Sequence, residues 1–139
     1  MLTFDLSAEQ EFNPIRHVEK ILGVVGEGDV TVACWAPGQT SPNHLHPNAT
    51  EIYFCFSGGG MMRTPSGDVP VKPGSFVVHP RGELHEYVNG PQQTLLFRVR
   101  YGDDMSTRSK DWPSNNTFQA KPDDVAFFRA HPDGVVEPA

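Results

Sequence analysis

The sequence predicts an all-β fold, a sandwich or barrel assembled from short strands. Segments rich in β-branched and aromatic residues recur along the chain, and turn-forming residues separate them at regular intervals. The 13 glycines and 13 prolines among 139 residues are many for one domain, as expected where tight turns are frequent. A chain of this length can build one hydrophobic core but is too short for two.

The predicted strands begin with a hairpin. Two β-rich segments, residues 17–25 and 30–36, flank the sequence Gly-Glu-Gly-Asp at 26–29, whose glycines can adopt positive φ in a tight loop. The next strand, at 51–56, consists mostly of bulky residues and ends before three consecutive glycines at 58–60.

The second half continues this pattern until Gly102, where the composition becomes polar. Strands bounded by turns are predicted at residues 61–64, 69–72, 75–79, 84–88 and 94–101. Residues 102–139 form a loop-rich C-terminal arm with one short helix at 122–131, with Asp123 and Asp124 in its first turn. We expect residues 1–139 to form one domain, with a barrel core over about 17–101.

Composition and charge exclude several classes of partner. The formal net charge is −6, and no cluster of Lys and Arg is present, so nucleic acid is not expected to bind. No apolar stretch is long enough to span a bilayer, and residues 1–12 do not resemble a signal peptide. With Cys34 and Cys55 interpreted as reduced apolar residues, we expect a cytoplasmic protein.

Four side chains suggest a metal site. His44 and His46 lie two residues apart, so an extended segment would direct both imidazoles to the same face. Glu51 opens the next strand, and His85 follows a Pro-x-Gly turn in a distant segment. His-x-His alone is a weak signal, since a lone His is more often a surface or core residue. Together, three imidazoles and one carboxylate suit Fe, Mn, Co, Ni, Cu or Zn, and not Ca or Mg.

The surroundings of these residues resemble the two motifs of the cupin superfamily. The first is Gly38-x5-His44-x-His46-x4-Glu51-x6-Gly58, and the second is Gly74-x5-Pro80-x-Gly82-x2-His85-x3-Asn89. One departure is Ser75, where cupins often have Asp, and we expect it to affect only the turn. The resemblance implies a double-stranded β-helix, or jelly-roll barrel. It also implies that His44, His46, Glu51 and His85 bind one divalent transition metal, Fe first among the candidates, with coordination positions left open. It implies nothing about the C-terminal arm.

Strand parity nominates further residues for the cavity. If Glu51 faces inward, Tyr53 faces inward too and becomes a candidate catalytic hydrogen-bond donor, or else a core residue with a satisfied hydroxyl. His79 is a candidate base or substrate contact, with a buried neutral His as the alternative. Tyr87 shares parity with His85 and is a candidate for the same wall.

Arginines provide candidate contacts for an anionic substrate. In the strand at 94–101, Arg98 lies on the face opposite Phe97. We favour solvent or a dimer interface for Arg98, and the alternative places it in the cavity, where its fork would bind a carboxylate. Arg63 has the same two interpretations. In the arm, Trp112 and two phenylalanines either cap the barrel mouth or, as we favour, only anchor the arm.

The predicted outward face of the strand at 51–56 contains three large apolar residues. Ile52, Phe54 and Phe56 share this face, and such a stripe needs cover from another surface. The terminal arms or a second subunit would provide it, and a two-fold homodimer is the simplest arrangement.

These observations support three hypotheses for function. The first is a metal-dependent enzyme acting on a small organic molecule, with a non-haem dioxygenase favoured. The second is a redox-neutral isomerase, lyase or decarboxylase that uses the metal as a Lewis acid, with Tyr53 or His79 moving protons. The third is a non-catalytic binding or sensor protein, which is less favoured because the chain has no room for a DNA-binding domain.

Overall fold

The computed structural model describes residues 1–102 and 104–136. Within them it contains ten β-strands and one α-helix. The strands are β1 (Val18–Val25), β2 (Gly28–Trp35), β3 (Asn43–Leu45), β4 (Ala49–Ser57), β5 (Gly60–Thr64), β6 (Gly67–Val71), β7 (Phe76–His79), β8 (Glu86–Asn89), β9 (Thr94–Gly102) and β10 (Arg108–Asp111); the helix is α1 (Pro122–Ala130).

The strands form the two walls of a jelly-roll barrel, which confirms the predicted fold class. One wall is a five-stranded antiparallel sheet in the order β1-β2-β9-β4-β7. The other combines the sheets β6-β5-β8 and β10-β3, which isolated bridges from Thr40 to Val88 and from His44 to His85 join. Large apolar side chains fill the space between the walls: Trp35, Tyr53, Met62, Tyr87 and Leu96.

The first hairpin is tighter than the sequence predicted. Val25 pairs with Gly28, so Gly28 and Asp29 belong to β2, and the loop is reduced to Gly26 and Glu27. Gly26 has a φ of 59°, which an L side chain rarely adopts, and this explains why a glycine occupies this position.

The C-terminal arm contributes more structure than expected. Its strand β10 was not predicted, because Arg-Ser-Lys-Asp has no apolar alternation. It pairs with β3, where Ser109 lies opposite His44. Phe128 of α1 packs on Leu45 and Leu84. The phenylalanines of α1 therefore anchor the arm to the barrel, as favoured, whereas Trp112 lines the cavity described below and does not only anchor the arm. No described helix is long and apolar enough to cross a membrane.

The outer face of the large sheet is covered on one side only. The N-terminal arm packs Leu6 and Phe12 against β1, β2 and the start of β9. At the β4–β7 side, Phe54, Phe76 and Val78 remain 36%, 64% and 51% exposed. Of the stripe predicted on β4, Phe54 and Phe56 are exposed and Ile52 is half-buried, so the stripe does face outward, and the described parts of the arms leave it uncovered.

Candidate metal centre

Four buried side chains converge at one point between the two walls. His44 lies on β3, His46 directly after it, Glu51 on β4 and His85 directly before β8. One ligand atom from each of the four lies within 4.8 Å of the other three. Backbone hydrogen bonds hold His44 and His85 together, because each amide donates to the other's carbonyl, at 3.0 and 2.9 Å. The predicted convergence of His44, His46, Glu51 and His85 is therefore present.

Backbone carbonyls orient the three imidazoles. Nδ1 of His44 lies 2.6 Å from the Pro42 carbonyl oxygen, and Nδ1 of His85 lies 2.9 Å from that of Glu83. Nδ1 of His46 lies 3.2 Å from the carbonyl oxygen of Ser106 in the arm. Because a carbonyl oxygen only accepts hydrogen bonds, these three contacts are made when Nδ1 carries the ring proton. Each Nε2 is then a lone-pair donor directed inward, the usual state of a metal-binding His.

The carboxylate of Glu51 meets these lone pairs through a single oxygen. Its Oε1 lies 2.8, 2.9 and 3.7 Å from Nε2 of His46, His85 and His44, respectively. Nε2 of His46 is buried without a hydrogen-bond partner despite this proximity. With the ring proton on Nδ1, each Nε2 lone pair and this oxygen repel each other unless a cation lies between them. Without an ion, an imidazole that carries its proton on Nε2 donates to the oxygen instead, as the 2.9 Å contact of His85 allows. The donor set and this unpaired nitrogen therefore fit a divalent transition metal.

Burial and charge bias the centre toward its ligating protonation states. Burial opposes ionisation of Glu51, but its interactions with the three imidazoles hold its pKa well below its usual range. Burial, together with His44 and His79 nearby, lowers the pKa of His85 to about 3. Near neutral pH Glu51 is thus ionised and His85 is neutral, as ligation requires.

The second oxygen of Glu51 faces away from the imidazoles. Its Oε2 accepts a hydrogen bond from the Tyr53 hydroxyl at 3.1 Å, and Nε of Arg98 lies 3.8 Å away. These contacts leave Oε1 as the oxygen that faces the cluster. The geometry therefore favours a carboxylate that ligates through one oxygen, while the other is hydrogen-bonded to Tyr53 and lies near the positive charge of Arg98.

The centre lies at the edge of an open cavity of about 480 Å³. His44, His46, Tyr53 and Arg98 belong to its lining, whereas Glu51 and His85 lie behind it. Aromatic rings form another part of the wall: Trp35 stacks on His17 with ring centroids 4.0 Å apart, and Trp112 approaches the same imidazole. The cavity is in the size range of small-molecule sites and combines apolar surface with a few polar groups.

Comparison with known proteins agrees with this architecture. A family model described as a cupin domain matches residues 31–98, which include all four candidate ligands. The chain contains a cupin domain. Every fixed position of the two motifs in this cupin lies within the matched range. No curated protein matches the chain.

Several solved structures share the fold at low identity. The protein TT1209 from Thermus thermophilus is 21% identical, with a TM-score of 0.70 over 73% of this chain and 98% of that one. A double-stranded β-helix protein from Klebsiella pneumoniae is 17% identical, with a TM-score of 0.72 over 78% and 96%. A sugar phosphate isomerase of the cupin superfamily from Silicibacter pomeroyi is 20% identical, with a TM-score of 0.64 over 78% and 82%. These similarities show the fold.

The interpretation favoured from the sequence, that Arg98 faces solvent or a dimer interface, was wrong. The side chain is only 2% exposed and points into the barrel, not into solvent or toward an interface. Its Nη1 donates to Glu19 at 2.9 Å, its Nη2 donates to Thr31 at 3.3 Å, and Nη2 lies 3.5 Å from Asp29. Acidic partners from β1 and β2 make this burial tolerable, and alternation within β9 alone could not reveal them.

Three other candidates from the sequence lie outside the cavity lining, whereas Tyr53 belongs to it. His79 stacks on His85 at 3.8 Å and its Nδ1 lies 2.7 Å from Glu83, so it supports His85 from behind. Tyr87 is buried, and its hydroxyl donates to Asn89 at 2.8 Å. Arg63 is exposed beside a separate cavity of about 240 Å³. None of the three reaches the surface that a molecule bound beside the metal would contact.

Several lining residues were not anticipated. Asn13, Arg16 and His17 come from the N-terminal segment, and Thr107 comes from the C-terminal arm. Thr107 also places its hydroxyl 3.1 Å from Nδ1 of His46. No local pattern marks these positions, because their place in the site depends on how the arms cross the barrel.

Proposed function

We propose that this cupin domain is a metal-dependent enzyme that acts on a small organic molecule, and that it is a non-haem iron dioxygenase. The observation that carries the proposal is the position of the cluster. His44 and His46 line an open cavity, while Glu51 and His85 hold the site from inside the barrel. A structural zinc site would be closed on all sides, whereas a catalytic site needs an accessible face.

His44, His46, Glu51 and His85 would hold the ion. A redox-active metal there would supply the electron transfer that reaction with dioxygen requires. The chain's own contribution is the orientation of the ligating groups. Carbonyls fix the imidazoles and Tyr53 fixes the carboxylate.

The rest of the cavity wall defines the environment of the substrate. Trp35, His17 and Trp112 offer flat surfaces on which an organic molecule can pack. Burial raises the pKa of Tyr53 well above its usual range, and the charge on Glu51 acts in the same direction. Tyr53 therefore stays protonated, and its oxygen can still accept a hydrogen bond from the substrate.

Oxygen consumption tests the dioxygenase proposal. Protein purified without added metal is first analysed for metal, then loaded with iron and supplied with 1,3-dicarbonyl, phenolic and thiol compounds in an oxygen electrode. Substrate-dependent uptake by the iron form, absent from the zinc form, is the expected result. Iron-loaded protein that consumes no dioxygen with any of these compounds would refute the dioxygenase assignment.

A redox-neutral reaction is the second candidate. It is favoured by the fold similarity to the Silicibacter pomeroyi sugar phosphate isomerase. In an isomerase, lyase or decarboxylase the metal would act as a Lewis acid. Of the two residues considered for proton transfer, Tyr53 lines the cavity and His79 does not. Turnover with zinc or manganese that continues without oxygen distinguishes this candidate, and tight binding without turnover would indicate a sensor.

We also propose that the protein is a cytoplasmic homodimer. The exposed apolar surface at Phe54, Phe76 and Val78 supports the dimer, because a two-fold interface would cover it. The free, buried thiols of Cys34 and Cys55 are consistent with a reducing compartment.

A further inference from the structure

Two of the three arginines that line the cavity are already neutralised. Arg98 contacts Glu19 and Asp29, as described above. Nη2 of Arg100 lies 3.3 Å from the other carboxylate oxygen of Asp29. The fork of Arg98 is therefore engaged within the wall and is not available to bind a carboxylate of the substrate.

Arg16 differs from both. It is exposed, lines the same cavity from the N-terminal segment, and has no ion-pair partner among residues 1–102 and 104–136. The segment is held in place, because Gln39 donates a hydrogen bond to the carbonyl of Asn13 at 2.7 Å. The cavity thus presents, on an anchored stretch of chain, a guanidinium that no described carboxylate neutralises.

The formal charges of the site lead to the same conclusion. Three arginines line the cavity, namely Arg16, Arg98 and Arg100, and three carboxylates lie in or behind its wall, namely Glu19, Asp29 and Glu51. Arg98 and Arg100 are paired with Glu19 and Asp29. Arg16, unpaired among the described residues, and a bound divalent ion would both attract negative charge into the cavity, which favours an anionic ligand.

We infer that the substrate is a small organic anion whose second negatively charged group binds Arg16 while its other end reaches the metal. This inference rests on the proposed metal-dependent function. A guanidinium binds a carboxylate through two parallel hydrogen bonds, so Arg16 acts as a specificity-determining residue.

Matched probes separate the two ends of such a ligand. A 2-oxo acid chelates divalent metals at one end, and 2-oxoglutarate adds a distal carboxylate that 2-oxopentanoate lacks. Titration calorimetry with the metal-loaded full-length protein measures the affinity for each compound, and 2-oxoadipate against 2-oxohexanoate extends the comparison by one carbon. We expect the charged-tail compound of at least one pair to bind roughly tenfold more tightly than its uncharged partner.

The Arg16→Gln variant tests the assignment directly. We expect it to remove most of the preference for the charged tail and to leave binding of the uncharged-tail compounds nearly unchanged. Arg129→Gln is the matched control, because Arg129 is exposed on α1 and does not line the cavity. The control should keep the wild-type preference, and Arg16→Lys should retain part of it.

The outcomes distinguish this inference from the proposed function. Wild-type protein that binds metal but shows no preference for a charged tail, or binds none of the four compounds, overturns the inference and leaves the metal site standing. An unchanged preference in Arg16→Gln overturns it too. Protein that fails to bind any transition metal overturns the proposed function itself, and the inference with it.

Discussion

Replacing Tyr53 by Phe isolates the contact that holds the second oxygen of Glu51. The side chain is 7% exposed, and its hydroxyl donates to Oε2 of an ionised, buried carboxylate at 3.1 Å. A hydrogen bond to a charged group contributes about 1.5–3 kcal/mol, so the free energy of unfolding of the metal-free variant should be lower than that of the metal-free wild type by this amount. The ring remains, so no cavity is created.

The effect on metal affinity is the more specific expectation. Partners that orient a ligand typically change metal affinity by about 10- to 100-fold when removed, and Tyr53→Phe should weaken binding within that range. Competition with a chelator measures the affinity, and urea denaturation of the metal-free protein measures stability. The two readouts are independent.

Tyr87→Phe is the matched control for this experiment. Tyr87 is also buried, and its hydroxyl donates to Asn89 at 2.8 Å, remote from the metal ligands. Its loss should lower stability by about 1–3 kcal/mol, because Asn89 keeps a buried acceptor without this donor, and should leave metal affinity unchanged. Equal metal affinities for both variants and the wild type would refute the role assigned to Tyr53.

Three further predictions concern the site and the outer face. His46→Ala should remain folded with greatly reduced metal content, whereas the control His131→Ala, on the arm, should bind as much metal as the wild type. Metal analysis measures both, and an unchanged metal stoichiometry in His46→Ala would contradict the ligand assignment. The metal-free protein should lose stability as pH falls below about 6.5 toward 3, measured by urea denaturation at each pH. In the folded state the pKa of His85 is about 3, below its ordinary 6.5, and the pKa of Glu51 lies well below its ordinary 4.5. The unfolded chain therefore binds more protons than the folded protein throughout this pH window, and acid favours unfolding. A free energy of unfolding that stays constant from pH 7 to 4 would contradict these shifts. Wild-type protein should sediment at about twice the chain mass and Phe76→Glu should shift toward monomer, and a wild-type monomer at high concentration would refute the dimer.

The barrel and its ligands were accessible from local features of the sequence. Strand parity placed His44 and His46 on one face and Glu51 with Tyr53 on another, because alternation depends only on neighbouring residues. The spacing of both motifs then indicated the cupin fold. The helix prediction was correct to one residue at its end, since Pro122 and Pro132 bracket it.

The position of Arg98 could not be derived in the same way. Alternation along β9 separates the residues into two faces but does not show which face points into the barrel. Because a charged residue is usually exposed, Arg98 suggested that its face points outward. The inward choice is stable here because Glu19 and Asp29 arrive from β1 and β2, which the register of the large sheet brings alongside.

By itself, then, the sequence predicted the fold class and the outward apolar stripe from short-range periodicity and turn spacing, and the four candidate ligands through its resemblance to the two cupin motifs. Only the tertiary structure decided what surrounds the metal: the buried ion pairs of Arg98, the exposed guanidinium of Arg16 at the cavity, and the contacts that Ser106 and Thr107 make with His46. These contacts join segments far apart in the chain, so no periodic pattern in the sequence marks them. The register of the large sheet sets the ion pairs of Arg98, and the paths of the two arms across the barrel set the others.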